Sequence, residues 1–163
     1  KNLKKKIFIH DFTPYGSDER QFCSPGFNLP IGLVMRKMFD GFKEYHTSLD
    51  NEKLINFNTI LESIQIYYDI LLTIDNNFIP LSKIKFGTPQ LSKSTINLYR
   101  TEMSWKLKKM EDTTKFLLEI LNLAEGKKDL IEIANDKNFK LINHLDLISN
   151  LLKSKYISKK NSS

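Results

Sequence analysis

Few residues of this chain have chemistry to offer. There are three histidines and one cysteine, and the polar side chains best suited to chemistry gather in two short stretches. One holds Ser17-Asp18-Glu19-Arg20 and, shortly after, Cys23; the other is Glu44-Tyr45-His46-Thr47-Ser48-Leu49-Asp50-Asn51. An imidazole ligates a metal well when its second nitrogen is oriented by a carboxylate, hydroxyl or carbonyl. His46 has such groups beside it in Tyr45, Thr47, Ser48 and Asp50. Asp18 and Glu19 suit an orienting or substrate-facing role, or plain turn chemistry. Arg20 can fork a substrate carboxylate or simply neutralise its acidic neighbours. Cys23 with a histidine would make a nucleophilic pair, but no thiol-hydrolase signature surrounds it, and single cysteines commonly act as small buried hydrophobes. His10 and His144 have no His, Cys or acidic neighbour at ligand spacing.

These loops need elements to hold them. Ile7-Phe8-Ile9 reads as a short strand that ends at His10, and Ile31–Arg36 as a second. The Gly-, Ser- and Pro-rich stretch between them carries Asp18 to Cys23, and polar loops of that length are often functional. Phe57, Ile60, Leu61, Ile64, Tyr68, Leu71 and Leu72 recur at helical steps and predict an amphipathic helix. Asp50 or Asn51 is its expected cap, and Asp75-Asn76-Asn77 its stop. Residues 78–100, with Pro80, Gly87 and Pro89, read as an irregular connector. Three shorter helical patterns follow, around Phe116–Leu121, Asp129–Ala134 and Leu141–Leu152, with Gly126 in a helix-stopping position. Tyr156-Ile157 reads as a closing strand, which completes the outline of a winged helix. The tail from Ser158 has no apolar anchor and is expected to fray.

Composition narrows the field. The chain has 163 residues, 40% of them hydrophobic and 27% charged, and a net charge of +6. These values describe a globular chain of one domain, or of a domain remnant with a small module. Lysine supplies nearly all the positive charge, with arginine only at Arg20, Arg36 and Arg100. One cysteine excludes an internal disulfide and fits a cytoplasmic setting. No apolar run reaches the ~20 residues needed to span a bilayer. The chain opens on lysine, not methionine, and reads as cut from something longer. The third helix would present Lys140, Asn143, His144, Asp146, Ser149, Asn150 and Lys153. Without arginine, and with Asp146 set to repel phosphate, that face argues against nucleic acid and for protein docking. Trp105, beside Lys106, Lys108 and Lys109, would suit contact with a partner domain.

The run from Asp11-Phe12-Thr13-Pro14-Tyr15-Gly16-Ser17-Asp18-Glu19-Arg20 to Asn28-Leu29-Pro30, together with Glu44–Asn51, resembles a bacterial family with an aminopeptidase-like domain followed by a winged helix. That domain is related to the co-catalytic di-zinc aminopeptidases, and some members are named for polysaccharide biosynthesis. The resemblance continues at Pro89-Gln90-Leu91, Leu98-Tyr99-Arg100 and Leu121–Lys127. It implies that His46 is the last histidine ligand of a site for two zinc ions. Glu19 stands where the wider clan has a histidine, and Asp18 would orient groups around the metals. From their types and positions, Tyr45, Asp50 and Arg20 are the other candidates for a place near the metals or the substrate. The remaining ligands and the glutamate general base would lie upstream, so no catalytic residue is assigned within this chain.

The resulting expectation is an α/β fold: the C-terminal remnant of a zinc-aminopeptidase-like sheet-and-helix domain (1–82), a connector (83–112), a winged-helix module (113–158) and a disordered tail (159–163). The function implied is that of a hydrolase acting on a peptide or small amide, inactive without its upstream half. That half and a second copy of the chain are the expected protein partners. The alternatives are a pseudoenzyme, and a winged-helix binding or regulatory protein on a non-catalytic scaffold.

Overall fold

The computed structural model describes residues 8–38, 41–84, 86–87 and 112–160. The chain divides into two compact units, Lys1–Phe57 and Asn58–Ser163.

The first unit is built from turns. Helix α1 is a single turn, Glu19–Phe22, entered from Asp18. Beyond it, Asn28 N–H donates to the Ser24 carbonyl and Leu29 N–H to that of Phe22, while Gly26 and Asn28 take positive φ. The expected strands are absent: Phe8, Ile9 and Ile31–Met35 are not in strands, and Ile7 lies outside the described residues. A strand exists only as part of a ladder, and none is formed at these positions among the described residues. No described side chain from 8 to 57 is buried.

Helix α2, Phe57–Asp75, carries the apolar stripe that the helical spacing predicts. Its start differs from expectation. Asn51 instead caps a one-turn 3-10 segment, Glu52–Leu54, its side chain accepting from Lys53 N–H at 3.1 Å, and α2 begins beyond it. Its end is as read: both the backbone and side-chain N–H of Asn76 donate to the Leu72 carbonyl. The stripe is bare among the described residues, with Leu61 64% and Leu71 65% exposed. No helix among the described residues is long and apolar enough to cross a membrane.

The core lies in the winged helix. Strand β1 (Pro80–Ser82) precedes α3 (Asp112–Leu123) and α4 (Leu130–Asp136). A 3-10 turn over Leu141–His144 then runs into α5 (Leu145–Lys153), and strand β2 (Ile157–Lys159) closes the module. Phe116, Leu117 and Ile120 of α3 pack with Leu130 and Ile133 of α4, Ile148 and Leu151 of α5, and Ile157 of β2. The two strands pair antiparallel, Leu81 opposite Ser158. Leu81 also bridges to Glu125.

Two expectations are corrected here. Pro80–Ser82 is a strand, not irregular connector. Proline has no N–H to offer a ladder and is tolerated at the first position of an edge strand, and three residues are too few to show alternation. The chain after Ser158 is also not frayed through Lys160: Lys159 closes β2, Lys160 N–H donates to the Ile79 carbonyl at 2.9 Å, and its Nζ donates to the Gly126 carbonyl. Backbone bonds replace the missing apolar anchor. The expected features at Pro89–Leu91, Leu98–Arg100 and Trp105–Lys109 lie outside the described residues.

Two measurements check this division of burial. Leu151→Ala should lower the unfolding free energy of the winged helix by roughly 2–5 kcal/mol in urea titration, whereas Leu61→Ala should stay within about 0.5 kcal/mol. By light scattering the chain alone should self-associate, and Leu61→Ser with Leu71→Ser should reduce this. A wild-type monomer would show that the bare stripe is not adhesive.

Candidate functional site

His46 sits on a tight polar turn. Tyr45 N–H donates to the Phe42 carbonyl, Thr47 N–H to the Glu44 carbonyl and Asp50 N–H to the Thr47 carbonyl. The Thr47 hydroxyl donates to the Glu44 carbonyl at 2.9 Å and accepts from Leu49 N–H at 3.2 Å. These bonds hold His46 at φ 56°, in the left-handed region that an L-residue enters at a cost of about 1–2 kcal/mol. Its imidazole stacks on Tyr45, with ring centroids 4.0 Å apart and planes 17° apart. Tyr45 in turn meets Phe42 edge-on at 5.7 Å. The side chain is thus exposed, yet fixed in both backbone and ring plane. Asp50 is exposed on the same turn.

The second loop is held by its own carboxylate. Glu19 Oε1 accepts from Ser17 N–H at 2.9 Å, so this side chain folds back on the turn that opens α1. Asp18 is exposed and makes no side-chain capping bond. Arg20 is exposed, and no ion pair to Asp18 or Glu19 forms, which leaves its guanidinium free of the neutralising role. Cys23 Sγ donates to the Leu29 carbonyl at 3.2 Å and to the Ile31 carbonyl at 3.4 Å. The thiol faces two backbone carbonyls and ties the loop to itself, with no histidine beside it among the described residues to act as a base. His10 lies over Phe8 at 6.5 Å. Among the described residues, no group of three or more His, Cys, Asp or Glu side chains is placed to hold a metal ion.

His144 is not where the sequence reading put it. The third-helix face was expected to expose it beside Asn143 and Asp146, but it is 6% exposed. Asn143, Asp146 and Lys153 are exposed, and Ser149 and Asn150 are half-buried. The imidazole stacks on Phe116 at 4.4 Å and meets Phe139 edge-on at 5.8 Å. Its Nδ1 is buried with no hydrogen-bond partner among the described residues. The signal was present: His144 falls on the inward register of Leu141, Leu145 and Ile148. Burial pushes its pKa down, partly opposed by the Asp112 carboxylate.

Comparison with known proteins supplies context. Residues 1–77 match a family described as a domain of unknown function, DUF4910. Residues 79–159 match a winged helix-turn-helix family. A Clostridium acetobutylicum protein, provisionally named for polysaccharide biosynthesis with an aminopeptidase-like domain, is 39% identical over 129 residues, or 79% of this chain and 29% of its own length. A crystal structure from Clostridium acetobutylicum, of a provisionally assigned peptidase, matches with a TM-score of 0.77 and 29% identity. That match covers 98% of this chain and 33% of the solved one. The chain thus spans about a third, or less, of the length of these relatives.

The buried imidazole gives the winged helix a pH dependence of known sign. Because the folded-state pKa of His144 is lowered, the unfolded chain binds the proton more readily. Stability is therefore full above the ordinary histidine pKa of about 6.5 and lost as pH falls below it. The urea midpoint should drop between about pH 7 and pH 5, and His144→Phe should flatten that drop. Equal pH responses in both proteins would acquit His144.

Proposed function

We propose that this chain is the C-terminal part of a metal-dependent, aminopeptidase-like hydrolase, in which His46 ligates one of two zinc ions and the remaining ligands come from an upstream segment. The observation that carries this reading is the backbone of His46: a non-glycine residue held at positive φ, its ring exposed and braced on Tyr45. Strain of that kind persists only where the surroundings over-determine it, and it gathers at functional positions. The peptidase-like names of the Clostridium acetobutylicum relatives, which extend well beyond this chain, support the same assignment.

The residues present fit that role as far as they go. Zinc takes imidazole nitrogen readily and is usually held by four donors, or by three with an open position. One exposed histidine contributes one of them. The chemistry a zinc pair supplies when bound is Lewis-acid polarisation of the amide carbonyl and a lowered pKa for water. This chain's own part is positional. Tyr45 fixes the plane of the imidazole. Thr47 closes the turn that presents it, and Asp50 sets a carboxylate on the same turn. Arg20, free of Asp18 and Glu19, would hold a carboxylate of a peptide or small amide substrate in a fork. Glu19 braces its loop and so serves structure before substrate, while Asp18 stays open to solvent. The upstream segment would also cover the apolar stripe of α2, and the complete protein would work in the bacterial cytoplasm.

The deciding experiment compares wild type with His46→Ala in a polypeptide that carries the upstream segment. Zinc content should fall by about one ion per chain, and hydrolysis of an aminoacyl amide by roughly a hundredfold or more. An unchanged zinc content would remove His46 from the metal and return its turn to a structural role.

A further inference from the structure

We infer that Asn77 fastens helix α2 to the winged helix, so that the two open and move as one piece although separate families describe the sequence on either side of residue 78. The Asn77 side chain uses both ends of its amide. Its Nδ2 donates to Asp129 Oδ2 at 2.9 Å, and its Oδ1 accepts from Ile131 N–H at 3.1 Å. Asp129 is the N-cap of α4 and closes a reciprocal capping box with Glu132. Asn77 thus grips both the capping carboxylate and a first-turn amide that the box leaves over. Phe78 extends the grip: its carbonyl accepts from Leu130 N–H at 3.1 Å, and its ring packs against the core under Lys159 Nζ.

The neighbours of Asn77 leave no slack. Upstream, the Asn77 amide donates to the Ile74 carbonyl and Asn76 closes on Leu72. Downstream, the Ile79 carbonyl accepts from Lys160 N–H and the Pro80 carbonyl from Gly126 N–H. A domain linker needs a few residues whose backbone is bonded to nothing. From 76 to 80 every residue is bonded to α2, to α4, to the strand end or to the turn before α4. Whatever grips the winged helix therefore also grips α2. The module is a fixed fitting at the end of that helix and cannot swing as a tethered reader.

Hydrogen exchange on the intact chain tests this. In wild type, the amides of residues 72–76 and those of Leu130 and Ile131 should share one opening event, with the same dependence on denaturant. In Asn77→Ala, both groups should exchange roughly tenfold faster, since one side chain serves both. If the two groups open with different denaturant dependence in wild type, there is no common piece. If Asn77→Ala accelerates only Leu130 and Ile131, Asn77 is a local cap and the inference fails. The wild-type comparison decides even if the variant does not fold.

Discussion

Four backbone N–H groups open helix α4, and each finds an acceptor. Ile133 and Glu132 turn to the Asp129 carbonyl and carboxylate, Ile131 to the Asn77 side chain and Leu130 to the Phe78 carbonyl. Leaving such donors buried and unpaired would cost about 1–3 kcal/mol each. Half of the demand is met by residues that precede the winged helix's first strand. The rest of the module follows from this arrangement. Holding Phe78 against α4 sets the start of β1, the strand aligns Pro80 with Lys159, and β2 then lays Ile157 over the three helices.

Apolar surface is kept in two different ways along the chain. The winged helix buries Phe116, Leu117, Ile120, Leu130, Ile133 and Leu151 to nothing exposed. Along the first unit and α2, no described side chain is buried, and Phe12, Phe27, Phe57, Leu61 and Tyr68 stand largely in solvent. The stripe of α2, taken by itself, is the kind of apolar surface that marks a face made for another surface. The His46 turn is the exception. It is ordered by its own short-range bonds and keeps its shape without a core beneath it.

What was legible in the sequence followed the length of the signal. Nineteen residues of helical spacing made α2 plain, whereas α3 stops at Leu123 and Gly126, read as its stop, turns instead to the Pro80 carbonyl. The stripe Leu141, Leu145, Ile148 and Leu151 gave the third helix, and the same stripe contained His144, but its polar type outweighed its position and it was placed in solvent. Strand β1 was illegible because three residues carry no period and its first is a proline. The strands expected at Ile7–Ile9, of which Ile7 lies outside the described residues, and at Ile31–Arg36 fail for a different reason: β-branched composition states a preference, and the pairing that realises it is not local. The double grip of Asn77 was hidden too, since its partners lie 52 and 54 residues downstream. The chemistry of His46 was legible as a loop of suitable neighbours, while the other donors it would need are not local to it.

Gly126 turns the chain between α3 and α4. It sits at φ +76°, its N–H bonded to the Pro80 carbonyl, and a Cβ built there would come within 3.2 Å of Leu81 Cδ1. Any side chain would meet both the backbone hand and the strand that seals the sheet. The three helices ask only for apolar residues in rhythm, a demand that many unrelated folds share. A glycine at this corner, read together with the proline that opens β1, therefore ties the wing to particular residues more narrowly than apolar rhythm ties its helices.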